Sequence, residues 1–191
     1  MKLTTFLLAS MMFFLSCQRT NENKNKDAEQ QKNWSDLIAK TVNYWSGRKM
    51  ILPSNLPIVN RDSTSFQFED TYKAPLRMVA FIDGTCGVCV SNLKHWHNFI
   101  NEVKKLRSNC DFIFYIEADN KDEFQKNIMS QLDITWVFDK DRKFIHLNKL
   151  NERQFQTALL KKNNEVIMIG TIVSSPEIES LYKEMIFKYG K

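Results

Sequence analysis

The sequence of 191 residues has the composition of a globular protein: 43% of its residues are hydrophobic, 12% aromatic and 26% charged, with 5 Gly and 4 Pro. This composition excludes disorder, collagen and coiled coil as descriptions of the whole chain. The net charge of +5 is spread along the chain, so we expect no nucleic-acid partner. The four cysteines are too few for a disulfide scaffold, and they are Cys17, Cys86, Cys89 and Cys110.

The first sixteen residues have the pattern of a secretory signal peptide. Lys2 precedes an apolar stretch, residues 3–15, that is interrupted only by two threonines and a serine. This stretch is too short to cross about 30 Å of hydrocarbon, and no later window approaches about 18 uninterrupted apolar residues. The sequence therefore predicts a signal peptide over 1–16 and no permanent transmembrane helix after it.

A cysteine and a polar segment follow this stretch. Ser16 precedes Cys17, and residues 18–33 have mixed charge and no large apolar side chain, which predicts a flexible tether over 17–33. The arrangement resembles a bacterial lipoprotein signal. The resemblance implies lipidation of Cys17 and anchoring of the protein to a membrane of the bacterial cell envelope, facing the periplasm. Ordinary cleavage with an incidental cysteine is the alternative, and the sequence does not choose between inner and outer membrane.

Residues 34–191 predict one folded domain with an N-terminal extension over 34–75. Apolar residues at helical spacing predict a first helix over 34–45 that ends at Gly47. Apolar and polar residues alternate weakly over 50–72, which predicts one or two short edge strands.

The domain itself, residues 76–191, begins with a strand, a helix and a second strand. The apolar runs 78–82 and 111–116 are typical of strands buried on both faces. Between them, apolar residues at steps of three and four predict an amphipathic helix over 88–106, with Cys89 on its buried stripe. The right-handed crossover rule then places the two strands parallel in one sheet.

The later elements continue this alternation. We predict a helix over about 122–132, a strand over 134–138 and a β-hairpin of 155–160 and 165–169, whose turn contains two asparagines that tolerate positive φ. The charged run 139–143 lacks the glycine and the bidentate glutamate of a calcium loop, so we interpret it as a turn. Trp96 and Trp136 are predicted core residues. The closing helix starts at Pro176, ends near Lys188, is capped by Ser174 or Ser175, and turns Ile178, Leu181, Tyr182, Met185 and Ile186 inward.

Cys86 and Cys89 lie where the first strand turns into its helix. A thiol at a helix N-terminus meets a partial positive charge and free backbone donors, which favour the thiolate, so Cys86 is the predicted attacking sulfur. Cys89 comes one turn later on the buried stripe. It is the predicted resolving thiol, because it can attack a mixed disulfide from within the protein.

This strand, Cys-x-x-Cys, helix and strand resemble the thioredoxin superfamily. With the lipoprotein start, residues 76–189 are similar to the TlpA- and ResA-type thioredoxin-like lipoproteins of the Bacteroides group. The resemblance implies a thioredoxin-like α/β fold, with a central mixed sheet flanked by helices. It also implies a thiol-disulfide oxidoreductase that uses no cofactor and exchanges with protein thiols or disulfides or with a membrane electron donor. The implied neighbours of the cysteine pair are Asp83, Thr85, Gly87, Val88, Gln156 and Thr157.

Two positions depart from the family pattern. Gln156 stands where the family's hairpin begins with a cis-proline; a non-proline cis bond costs about 3 kcal/mol, so we expect a trans bond and a different substrate groove. Ala80 stands six residues before Cys86, where thioredoxins carry a buried acid. Asp83 is either a substitute for that acid or, as we favour, only the start of an Asp-Gly turn. These departures keep open a redox-inactive binding or scaffold protein with a structural disulfide.

A soft-metal site is a further alternative for the cysteine pair. His95 and His97 come about 240° and about 80° further round the helix than Cys89, so neither lies above the pair. We therefore predict solvated histidines and no metal; His146 falls in a predicted loop. Cys110 has no partner in this scheme, and we expect a buried free thiol, with a regulatory or intermolecular partner as the alternative.

Overall fold

The computed structural model describes residues 35–60, 64–106, 109–129, 132, 134–173 and 175–190. The predicted signal peptide, the predicted tether and Cys17 lie outside this part of the chain. The chain divides between Asn43 and Tyr44 into two compact units, and the sheet belongs to the second. None of the helices in the described ranges is long and apolar enough to cross a membrane.

Helix α1 comprises residues 35–45. Gly47 follows with a φ of +72°, a conformation that costs glycine little and other residues more. This confirms the predicted stop. Trp34, the predicted first residue of the helix, lies outside the described residues.

One mixed sheet of seven strands organises the described chain. Its order is β2-β1-β5-β4-β3-β6-β7. Strands β3, β4 and β5 are parallel to one another, whereas β1, β2, β6 and β7 pair antiparallel. The strands are β1 (Ile58–Val59), β2 (Thr64–Ser65), β3 (Leu76–Asp83), β4 (Cys110–Glu117), β5 (Trp136–Phe138), β6 (Thr157–Lys161) and β7 (Val166–Ile169).

The central sheet flanked by helices is the predicted architecture, with the predicted parallel pair β3 and β4 at its centre. The two short strands β1 and β2 lie at one edge, as the sequence predicts for the segment 50–72. The remaining helices are α2 (Phe68–Thr71), α3 (Gly87–Ser91), α4 (Leu93–Lys105), α5 (Lys121–Asn127), α6 (Lys143–Asn148) and α7 (Pro176–Tyr189).

The main core lies between α4 and one face of the sheet. Trp96 of α4 packs edge-on against Phe114 of β4, with ring centroids 5.1 Å apart, and Cys89 packs against the same cluster. Burial of each such large side chain contributes about 1.5–3 kcal/mol. Trp96 and Trp136 are core residues, as predicted, and the buried face of α4 consists of Leu93, Trp96, Phe99, Ile100 and Val103.

Helices α3 and α4 replace the single helix predicted over 88–106. The boundary is at Asn92, which follows α3 and precedes α4, and whose N–H donates to the carbonyl of Val88 at 3.2 Å. The helical direction continues, because the carbonyl of Asn92 accepts the N–H of Trp96 at 3.1 Å.

The interpretation of residues 139–143 as a charged turn is confirmed for 139–142, where the N–H of Arg142 donates to the carbonyl of Asp139 at 3.1 Å. Helix α6, which begins at Lys143, was not predicted. The Asp139 carboxylate is fully buried and accepts the backbone N–H groups of Lys143 and Phe144 at 2.8 and 2.9 Å. The helix begins after Arg142, which has a φ of +54° and makes no side-chain cap, so the usual N-cap signal is missing. His146 consequently lies in a helix and not in a loop.

The boundaries of two predicted elements also change. Helix α5 ends at Asn127, earlier than the predicted 132. Strand β6 begins at Thr157, because residues Arg153–Phe155 form a 3₁₀ turn in front of it. Asn164 in the hairpin turn has a φ of +66°, as the sequence predicts.

The closing helix α7 is capped by Ser175, whose hydroxyl accepts the N–H of Ile178 at 3.3 Å; Ser174 lies outside the described residues. Tyr182 and Ile186 are buried in the core, as predicted. Leu181 is 45% exposed, so its predicted inward orientation is wrong.

Candidate active site

The loop that carries the cysteine pair starts at the carboxyl end of β3. Asp83 there is in register with Glu117 of β4, and the N–H of Gly84 donates to the carbonyl of Glu117 at 2.8 Å. A Cβ at Gly84 would collide with that oxygen and would lie 2.9 Å from the ring of Phe124. Only glycine permits this approach, so the start of the turn is fixed against β4 and α5.

Cys86 and Cys89 are joined by a disulfide, with their Cα atoms 5.2 Å apart. Cys86 is the N-cap residue of α3, and its Sγ accepts the N–H of Cys89 at 3.3 Å. The first N–H groups of a helix have no partner within it, and here one of them meets the Cys86 sulfur. The pair thus lies at a strand-to-helix turn, and the different roles of the two thiols stay predictions.

The carboxylate of Asp83 lies beside the pair. Its Oδ1 accepts both the N–H of Thr85 at 3.0 Å and the Thr85 hydroxyl at 2.7 Å, which is the turn role that the sequence favours. In addition, a carboxylate oxygen of Asp83 and the sulfurs of Cys86 and Cys89 all lie within 4.8 Å of one another. Asp83 therefore both shapes the turn and faces the sulfurs.

A second acid stands next to Asp83 on β4. Burial raises the pKa of Glu117, and the carboxylates of Asp83, Asp119 and Asp139 raise it further, against the opposing effect of Arg142. The guanidinium of Arg142 lies 3.5 Å from the Glu117 carboxylate. The carboxyl edge of the parallel strands is therefore acidic.

A groove of about 310 Å³ opens beside Cys89. Its walls come from the end of β3, from α3 and α4, from the 3₁₀ turn before β6 and from the loop after β7. Val88, which is 73% exposed, forms part of its rim. The other lining residues are Phe81, Ile82, Asp83, Cys89, Asn92, Trp96, Arg153, Gln154, Gln156, Thr157, Thr171 and Val173.

Gln156 has a trans peptide bond, as predicted; none of the peptide bonds in the described ranges is cis. Its N–H donates to the carbonyl of Arg153 at 3.2 Å, and its carbonyl accepts the N–H of Phe81 at 2.9 Å. Its side-chain amide donates to the carbonyl of Leu150 at 2.9 Å. Both backbone groups of Gln156 and its side-chain amide are therefore bound within the protein.

The groove brings together four of the six predicted neighbours of the pair, namely Asp83, Val88, Gln156 and Thr157. Thr85, on the turn, and Gly87, the first residue of α3, are not among the residues that line it. Thr85 lines a second cavity of about 260 Å³ towards α5. Sequence reasoning missed Arg153, Gln154, Thr171 and Val173. They come from two loops remote from the cysteines in sequence, and only the pairing of β3 with β6 and of β6 with β7 brings them near, so no local pattern indicated them.

His95 and His97 contact groups other than the cysteine pair. His95 is 3.1 Å from the Glu179 carboxylate, and Nδ1 of His97 is 2.8 Å from the carbonyl of Leu132. Across the described ranges, Asp83 and the two cysteines are the only three His, Cys, Asp or Glu side chains whose donor atoms lie close enough to share an ion. In the oxidised state described here, this group is a disulfide with a neighbouring carboxylate.

Cys110 lies at the opposite end of the strand pair, at the start of β4. It forms no disulfide within the described part of the chain, and its Sγ donates to the carbonyl of Asp111 at 3.5 Å. Burial raises the pKa of the Cys110 thiol to about 12, despite a hydrogen bond with the backbone of Met78. The predicted free thiol is confirmed for the described residues, although Cys110 is only half-buried. Its raised pKa keeps the thiol almost wholly protonated at neutral pH.

No protein-family model and no curated protein matches the sequence. The structure is similar to a candidate thiol:disulfide interchange protein DsbE from Chlorobium tepidum, with 13% identity, a TM-score of 0.55 and coverage of 76% of this chain and 98% of that chain. A candidate protein disulfide isomerase from Bacteroides thetaiotaomicron has 13% identity, a TM-score of 0.56 and coverage of 76% and 91%. A thiol:disulfide interchange protein from Bacteroides has 10% identity, a TM-score of 0.54 and coverage of 74% and 91%. These similarities establish the thioredoxin-like fold.

Proposed function

We propose that this protein is an extracytoplasmic, lipid-anchored thiol-disulfide oxidoreductase. The observation that carries the proposal is the Cys86–Cys89 disulfide at the turn between β3 and α3, beside an open groove. The thiol:disulfide names of the structural neighbours are consistent with this chemistry.

In the reduced protein, Cys86 acts as the attacking thiolate. The N–H of Cys89 points at its sulfur and stabilises the negative charge. The Cys86 thiolate attacks a substrate disulfide, forms a mixed disulfide and releases one substrate thiol. Cys89 then attacks the Cys86 sulfur, which releases the second substrate thiol and restores the protein disulfide.

The substrates in this proposal are protein disulfides or thiols, and a membrane electron donor returns the pair to its reduced form. The signal-like residues 1–16 and Cys17 support a location at the bacterial cell envelope, with the domain facing the periplasm and tethered through the lipidated cysteine.

Exchange is tested with the reduced protein, a disulfide-linked peptide and oxidised glutathione at neutral pH. We expect the wild type to reduce both. Cys86→Ser loses exchange, and Cys89→Ser accumulates a mixed disulfide that mass spectrometry detects on Cys86. Cys110→Ser is the matched control and behaves like the wild type. A folded, reduced wild type that exchanges with neither disulfide refutes the proposal and favours the redox-inactive scaffold.

Anchoring is tested separately in whole bacteria. The full chain should incorporate a labelled fatty acid and fractionate with membranes, whereas Cys17→Ser should carry no label and leave the membrane fraction. A wild type that takes up no label refutes the lipid anchor and leaves the exchange chemistry untouched.

A further inference from the structure

The second step of the proposed exchange needs a group that removes a proton. The thiolate is the nucleophile and not the thiol, and Cys89 must lose its proton when it attacks the mixed disulfide. Ala80, at the position where the thioredoxin resemblance implies a buried acid, is buried in the apolar core. Its side chain has no proton to exchange. The inference that follows rests on the proposed function.

Asp83 presents a carboxylate oxygen within 4.8 Å of both sulfurs. This distance corresponds to proton transfer through one intervening water, which general acid–base catalysis permits. Oδ1 of Asp83 is held by both donors of Thr85, so the carboxylate has a fixed orientation. Its other oxygen, Oδ2, lies 3.8 Å from Nη2 of Arg153, a residue that lines the groove.

Charged groups from two other elements lie near Asp83. Arg153 comes from the 3₁₀ turn and is 73% exposed, so its ion pair with Asp83 at 3.8 Å is worth little. On β4, Glu117 is in register with Asp83, and Arg142 lies 3.5 Å from the Glu117 carboxylate. The Asp83 carboxylate therefore faces the two sulfurs with only a long, solvent-exposed ion pair to Arg153 beside it.

We propose that Asp83 accepts the proton of Cys89 in the resolving step. The Cys89 S–H bond breaks, and its proton passes to the Asp83 carboxylate as the Cys89 sulfur forms a bond to the Cys86 sulfur. The bond between Cys86 and the substrate sulfur breaks, and its electron pair leaves with the substrate as a thiolate. That thiolate takes a proton from Asp83 or from water. The two protein thiols are oxidised and the substrate disulfide is reduced.

The same carboxylate has the opposite effect on the first step. A negative charge close to Cys86 disfavours the Cys86 thiolate. Removal of the charge should therefore slow the resolving step while leaving the first step as fast or faster. A purely structural role of Asp83 in the turn would move both steps in the same direction, so the two steps together distinguish the roles.

The test uses Asp83→Asn, which keeps an amide oxygen for the Thr85 donors and removes the proton-accepting group. Formation and decay of the mixed disulfide with a disulfide-linked peptide are followed separately by stopped flow from pH 5 to 9. We expect decay to slow at least tenfold at pH 7, with the loss shrinking towards pH 9 as hydroxide replaces the carboxylate, and formation to be unchanged or faster. Asp119→Asn is the control, because it removes an exposed carboxylate near the same edge, and it should leave decay unchanged.

Asp83→Ser is a second variant, whose hydroxyl also accepts the Thr85 N–H and which protects the test if Asp83→Asn folds poorly. Formate added to Asp83→Ser should restore part of the decay rate. Wild-type decay rates and pH profile in both variants would overturn the role of Asp83 while the proposed function stands. Equal slowing of both steps, without rescue by formate, would also overturn it. A wild type without any exchange would refute the proposed function first, and with it this inference.

Discussion

The strand pair β3 and β4 carries a cysteine and an aspartate at each of its ends, and the two ends differ in almost every other respect. At the carboxyl end, Asp83 faces the partly exposed sulfurs of Cys86 and Cys89 beside a groove. At the amino end, Cys110 and Asp111 lie where burial raises the pKa of both side chains.

The Asp111 carboxylate and the Arg77 guanidinium of the amino end form hydrogen bonds within the protein. The Asp111 carboxylate accepts the N–H of Ala74 at 2.6 Å. Arg77, which is only 2% exposed, donates to Glu69 at 2.7 Å, to the carbonyl of Tyr72 at 3.0 Å and to Asn164 at 3.1 Å. Similar residue types therefore form a set of internal hydrogen bonds at one end and a turn with a disulfide beside a groove at the other. The two ends differ in how the cysteines meet backbone donors.

The largest expected difference between the two ends is in the reactivity of their thiols. At pH 8, a thiol with a pKa near 12 is about one part in 10⁴ thiolate, whereas an ordinary exposed thiol is about a quarter thiolate. In the reduced protein we expect iodoacetamide to modify Cys86 at least about a thousandfold faster than Cys110, as measured site by site by mass spectrometry. The rate at Cys110 should rise tenfold per pH unit.

Unfolding in urea provides the control for this measurement, because it should bring Cys110 to the reactivity of the other thiols. Equal modification rates in the folded protein would contradict the contrast between the two ends.

The next largest effect is expected from two arginines. Arg77→Met leaves the buried carbonyl of Tyr72 without its donor and should lower the free energy of unfolding by about 2–4 kcal/mol. Arg153→Met, at the exposed end, should change it by less than about 0.5 kcal/mol. Urea denaturation with an unchanged m-value measures both. Similar losses for the two variants would show that the carboxyl end is as tightly joined as the amino end.

Two glycines test how the reactive turn is held. Gly84→Ala places a Cβ against the carbonyl of Glu117 and the ring of Phe124 and should destabilise the fold by about 1–3 kcal/mol. Gly87 has no atom within 4 Å of such a Cβ, so Gly87→Ala should stabilise α3 by up to about 1 kcal/mol. Thermal unfolding compares the two. A tolerated alanine at position 84 would disprove the close approach that fixes the turn.

The smallest expected effect concerns the pH dependence of the amino end. Burial raises the pKa of Asp111 above its ordinary value of 3.8, against the opposing effects of the Ala74 N–H and Arg77. Between these two pKa values the folded protein binds more protons than the unfolded chain, so this group reduces stability as the pH rises. Asp111→Asn keeps the acceptor for the Ala74 N–H and removes the charge.

Relative to Asp111→Asn, the wild type should therefore lose stability as the pH increases from 3 to 7. Denaturation of both proteins across that range measures the difference, with Asp119→Asn as the exposed control. A difference that stays constant with pH, or that favours the wild type increasingly towards pH 7, would contradict the stated direction.

The sheet was predictable because β3 and β4 are buried on both faces. Such strands have apolar residues at successive positions, and these runs are visible in the sequence. The position of the cysteine pair was predictable for a similar reason, since a strand, a turn and a helix are local features. Helix α6 was not predictable, because its first N–H groups are bound by Asp139, several residues before the helix, and its N-cap is the left-handed Arg142. Only part of the lining of the groove was predictable. Arg153 and Thr171 come close to the cysteine pair through the pairing of distant strands, and no short sequence pattern indicates that pairing.

The disulfide between Cys86 and Cys89 spans only three residues, so it closes a very small loop and restricts the unfolded chain little. In a thermodynamic cycle, the reduction potentials of the folded protein and the unfolded chain differ by the difference in stability between the oxidised and reduced forms, at about 30 mV for each 1.4 kcal/mol. Groups that contact or face the sulfurs therefore supply most of that difference. Here those groups are the N–H of Cys89, which the Cys86 sulfur accepts at 3.3 Å, and the carboxylate of Asp83. The potential of this protein is thus adjustable within residues 83–89 without a change to the sheet that supports them.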